Sequence, residues 1–174
     1  VGREQLTGTR RPAYVHTALT NGHLLHVSTA GVPSGDVVTP TNPAAAGPMF
    51  AAASASTFAV FYQAGVGPQQ MAIYGASGSL LHGPITVAGS GTPAGLAATS
   101  AGGFITLGPA TNGVMTATLI GASGQLGTTV QPSLPSPAWV DGASTGAGAL
   151  FAITDATYVP SLGHAAGDLS SGLA

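Results

Sequence analysis

Gly142-Ala143-Ser144-Thr145-Gly146 matches the G-x-S-x-G pattern of a serine nucleophile, and Asp155 and His164 follow in the hydrolase order Ser, Asp, His. That chemistry needs a strand entering the serine turn and a helix leaving it, so that the hydroxyl is presented to a base. Here the pattern runs into Ala147-Gly148-Ala149-Leu150-Phe151, which reads as a hairpin, and Ser144 is expected at its bend. In a chain with 27 Gly the pattern arises easily by chance, so a hydrolase ranks last among the readings.

Other reactive groups are few. His23 and His26 are spaced H-x-x-H, which brings two rings to one side of a helix but to opposite faces of a strand. A shared metal is therefore not expected, and no nearby carboxylate completes a ligand set. His16, His82 and His164 are spread along the chain. The acids Glu4, Asp36, Asp141, Asp155 and Asp168 show no D-x-D-x-D spacing of a calcium loop. They also offer little for a paired-carboxylate glycosidase. No catalytic residue, metal ligand or cofactor is assigned. Phe58, Phe61, Phe104 and Phe151 read as core. Trp139, Tyr62, Tyr74 and Tyr158 are the candidate ligand-binding residues, because each joins an apolar ring to a polar handle.

Composition narrows the partners. Charged residues are 5% of the 174, against about 25% in ordinary soluble domains. The only basic side chains are Arg3, Arg10 and Arg11, too few and too localised for a phosphate-binding groove, which argues against nucleic acid. A near-neutral surface promotes association, so the chain is expected to meet itself or a larger assembly. Cys is absent, so there is no disulfide or thiolate site. No apolar run reaches the roughly 18–20 residues of a membrane helix, and membrane insertion is not expected. The opening Val1-Gly2-Arg3 reads as the start of a mature or excised piece.

The elements that must position these residues repeat. Ile73-Tyr74-Gly75-Ala76-Ser77-Gly78-Ser79-Leu80-Leu81 returns as Leu119-Ile120-Gly121-Ala122-Ser123-Gly124-Gln125-Leu126-Gly127, an interval of roughly 45 residues typical of repeat arrays. Strands are expected at 14–17, 23–27, 50–53, 58–62, 96–99, 104–107, 139–141 and 149–153. In the two central repeats a third strand follows at 70–74 and 114–120, and a fourth at 83–87 and 127–130. Pro12, Pro48, Pro93 and Pro137 stand shortly before the first strand of each repeat, and Asn21-Gly22, Ala55-Ser56, Gly102-Gly103 and Gly146-Ala147-Gly148 read as tight turns. The layout is an N-terminal arm, 1–11, and one all-β repeat domain, 12–174, with repeats near 12–47, 48–92, 93–136 and 137–174. The expected fold is all-β: tandem four-stranded antiparallel blades, β-propeller-like, with a β-sandwich or jelly roll as the alternative.

On these residues the chain resembles β-propeller-type repeats of secreted bacterial proteins. In that group the third strand ends in an Asp-Ala-x-Gly turn and continues into a Leu-x-Gly segment. Gly75-Ala76-Ser77-Gly78 before Leu81-His82-Gly83, and Gly121-Ala122-Ser123-Gly124 before Leu126-Gly127, follow the outline with Gly in place of Asp. The expected function is a non-enzymatic structural or adhesive subunit of an extracellular, cell-surface or virion assembly. The alternative is a ligand-binding propeller module, with a glycan as the ligand.

Overall fold

Short apolar runs cut by Gly and Pro leave no room for a helix, and among the described residues there is none. The computed structural model describes residues 13–17, 23–27, 33–38, 49–63, 65–110, 112, 114–132, 137–145, 148–155, 160–166 and 168–169. Side chains are described at most positions of 49–132 and at 148, 149, 151, 152, 168 and 169.

Among the described residues the strands form four antiparallel meanders. The first is β1 (Ala13–Thr17), β2 (His23–Val27) and β3 (Pro33–Val38). The second is β4 (Phe50–Ala53), β5 (Thr57–Gln63), β6 (Pro68–Gly75) and β7 (Leu80–Ser90). The third is β8 (Gly95–Ala98), β9 (Phe104–Pro109), β10 (Met115–Ile120) and β11 (Leu126–Val130). The last is β12 (Pro137–Thr145), β13 (Gly148–Asp155) and β14 (Pro160–Ala166). The all-β expectation holds, with two complete four-stranded sheets at the centre. The third strands of the outer sheets, β3 and β14, were not expected from the sequence.

Side-chain alternation gives each central sheet two apolar faces. Ala59, Phe61, Met71, Ile73 and Val87 project from one face of β4–β7 and pack with Leu96, Ala98, Phe104 and Ile120 of β8–β11. The opposite face of β8–β11 carries Ala97, Ile105, Leu107 and Ala117, which pack with Ala149, Phe151 and Leu169. Burial on both sides is why β5, Thr-Phe-Ala-Val-Phe-Tyr-Gln, is almost continuously apolar. The first strands of neighbouring sheets lie close: β1 by β4, β4 by β8, and β8 by β12. Their Phe-Ala-Ala-Ala and Gly-Leu-Ala-Ala sequences supply the small side chains that such proximity requires. Strand β11 lies at the far edge of its sheet and is largely exposed.

The two copies of the nonapeptide fold alike. Gly75 N–H donates to Ser79 O at 2.9 Å and Gly78 N–H to Gly75 O at 2.9 Å; Gly121 to Gln125 and Gly124 to Gly121 repeat both bonds at 2.9 Å. Gly78 and Gly124 have φ of 85° and 81°, a conformation that favours glycine. The Gly102-Gly103 turn differs from the two-residue hairpin expected. Thr99 and Gly103 close a longer loop, with Thr99 N–H donating to Gly103 O at 2.8 Å and Gly103 N–H to Thr99 Oγ1 at 3.1 Å. Only Gly102 takes positive φ, whereas Gly103 lacks a Cβ because one would lie 2.6 Å from Ile120 O.

One polar side chain ties the central sheets together. Gln69 on β6 is 1% exposed, and its Nε2 donates to Pro109 O at 3.1 Å and Gly91 O at 3.3 Å. Gly108 makes room for this amide, since a Cβ there would collide with it. Replacing Gln69 by Leu withdraws a donor from two carbonyls and is expected to cost about 1–3 kcal/mol. Urea denaturation checks this: the midpoint falls with an unchanged slope. An unaltered midpoint would show that the amide bridge adds nothing.

Candidate functional site

Tyr62 and Tyr74 come together, but inside the protein. Residues 58, 60 and 62 of β5 share one face, and β6 places Tyr74 opposite Phe58. The Phe58 and Tyr74 rings stack with centroids 5.0 Å apart and planes 11° from parallel. Tyr62 and Tyr74 are only 2% and 1% exposed, packed with Ala53, Val60 and Ala72. Both of these ligand-binding candidates are thus buried within their own sheet's packing, as their place in the row with Phe58 and Val60 signals.

The phenols are correspondingly hard to ionise. Burial raises the pKa of Tyr62, and burial followed by the neighbouring Tyr62 raises that of Tyr74. Tyr74 Oη is buried and has no hydrogen-bond partner among the described residues. Chemically the pair offers neutral hydroxyls in an apolar setting, not a base or a phenolate nucleophile.

Trp139 lies on β12 opposite Thr154 in the strand register. Tyr158 falls outside the described residues. The hydrolase-like residues are not brought together. Ser144 is within β12, paired with Ala149, and not at a hairpin bend. His164 of β14 pairs with Leu150, the next position along β13, so the Ser144 and His164 positions belong to opposite faces. Asp155 ends β13, roughly 20 Å along the strand from Ala149. His23 and His26 are both on β2, paired with Thr17 and Tyr14 respectively. Among the described residues no three His, Cys, Asp or Glu gather as metal ligands, and no helix is long and apolar enough to cross a membrane.

Two features escaped the sequence reading. Leu80 and Leu126 occupy equivalent places at the start of β7 and β11, opposite Tyr74 and Ile120, and both are exposed, as is Leu81. Val66 and Val114 are likewise exposed in the β5–β6 and β9–β10 loops. These apolar side chains stand in a stretch with no charge at all: no Asp, Glu, Lys or Arg lies between Asp36 and Asp141. The signal was present in the repeated nonapeptide, where Leu80 and Leu126 align. No protein-family model matches the chain, and no curated protein matches it significantly.

Tyr74→Phe tests the environment of the buried hydroxyl. Below the ordinary tyrosine value of 10.0 both folded and unfolded states are protonated, and this group adds no pH dependence. Above it the unfolded chain loses the proton first, so stability falls as pH rises. The variant is expected to keep or gain up to about 1 kcal/mol at neutral pH and to lose stability less steeply in alkali. Thermal melts against pH measure both, and a large loss at neutral pH would show that Oη has a partner.

Proposed function

We propose that the chain is a non-enzymatic structural or adhesive subunit that assembles with itself or a larger host structure, outside the cell, at its surface or in a virion. The observation that carries this reading is an uncharged pair of central sheets bearing exposed leucines at repeated positions. Charge normally keeps protein surfaces apart, and apolar side chains exposed in groups favour contact. Where two such surfaces meet, no unpaired charge has to be buried.

The proposed architecture is a propeller-like array in which the four meanders act as blades. Support comes from the closeness of successive first strands, the small side chains of β4 and β8 and the matching turns after β6 and β10. A glycan-binding module, the alternative, would have to rely on aromatics other than Tyr62 and Tyr74, whose rings are buried.

Sedimentation velocity at micromolar concentration tests the assembly. A species heavier than one chain is expected, persisting at high salt because the contacts are mainly apolar. A monomer at every salt concentration would overturn the proposal.

A further inference from the structure

The loop joining β9 to β10 carries an Asn-Gly pair, Asn112-Gly113. Asn112 is exposed. Ala110 N–H donates to Val114 O at 2.7 Å, which closes the loop, and Val114 N–H donates to Asn112 Oδ1 at 3.1 Å. The second bond is a side-chain turn that orients the carboxamide. It also sets a backbone N–H on the oxygen where negative charge develops when a nucleophile adds to Cγ. In an Asn-Gly pair that nucleophile is the amide nitrogen of the glycine, and Gly113 brings no side chain to shield it. Val114 is 42% exposed, so water has access to the loop.

We infer that Asn112 is a site of spontaneous amide-to-acid conversion, and that the carboxylate formed there opposes the association proposed above. The Gly113 nitrogen gives its proton to solvent and bonds to Asn112 Cγ. The Cγ–Nδ2 bond breaks and the side-chain nitrogen leaves as ammonia. Water then opens the imide ring at either carbonyl, which yields aspartate or its β-linked isomer. The chain supplies its own control: Asn42 is followed by Pro43, whose nitrogen has no hydrogen to lose. The charge matters because of where it arises. No Asp, Glu, Lys or Arg lies between Asp36 and Asp141, so conversion creates the only carboxylate in that stretch. Copies that met there as neutral surfaces then repel one another or bury an unpaired charge. This consequence rests on the self-assembly reading, whereas the conversion does not.

Peptide mapping by mass spectrometry of the chain held at mildly alkaline pH tests the conversion. Asn112 is expected to become aspartate and isoaspartate at least as fast in the folded chain as in the urea-unfolded one, because the folded loop supplies Val114 N–H. Asn42 is expected to stay an amide. Conversion of Asn112 that is absent, or slower in the folded chain, would overturn the site. Asn112→Asp tests the consequence. The concentration for half-assembly in sedimentation is expected to rise about threefold or more, with circular dichroism unchanged and Asn112→Ser assembling as the wild type does. Equal assembly of Asn112→Asp and wild type overturns the consequence and leaves the site standing. A wild type that remains monomeric overturns the self-assembly reading and this consequence together, while the mapping still decides the conversion.

Discussion

Sheets with two apolar faces cannot stand alone, and that constraint governs this protein. Each central meander exposes Phe, Ile, Leu, Met or Val on both sides, and only a neighbouring sheet removes them from water. A fully buried side chain of this size contributes about 1.5–3 kcal/mol, so the shared layer containing Phe61, Met71, Ile73, Leu96, Phe104 and Ile120 outweighs any single hydrogen bond in the molecule. Small side chains on β4 and β8 let the first strands approach, while the outer strand β11 is left to solvent.

The polar groups inside are consistent with this layering. Gln69 spans the two central sheets instead of satisfying itself within one. Thr106 Oγ1 donates to Thr118 O at 3.3 Å and Thr116 Oγ1 to Gly108 O at 3.0 Å, so buried hydroxyls are absorbed by the ladder next to them. Gly124 lies against the neighbouring sheet, where a Cβ would stand 3.0 Å from Ile85 Cδ1 and 3.1 Å from His82 Cβ. Its glycine thus serves both the turn and the close approach of β7. Tyr74 Oη, buried without a partner among the described residues, is the exception.

Much of this was legible in the sequence. The strands expected at 50–53, 58–62 and 104–107 lie within β4, β5 and β9, because Gly, Pro and Ser mark their ends. Strands β3 and β14 were missed because Pro33-Ser34-Gly35-Asp36 and Pro160-Ser161-Leu162-Gly163 lack an apolar alternation. Their strand character comes from pairing with β2 and β13. The burial of Tyr62 and Tyr74 was not legible for a related reason. When both faces of a sheet are buried, alternation no longer separates inside from outside, and a hydroxyl is the only contrast left. The exposed leucines were hidden in the same way, since apolar residues in a largely apolar chain attract no notice.

The layering leaves leucines uncovered on the outer strands, in a chain with hardly any charge. The most direct test of the layering itself is hydrogen exchange on Phe104→Ala, which removes about 3–5 kcal/mol of packing from the layer between the central sheets. If the sheets depend on each other, amides of β5 and β6 lose protection together with those of β9 and β10. Loss confined to β8–β11 would contradict the account.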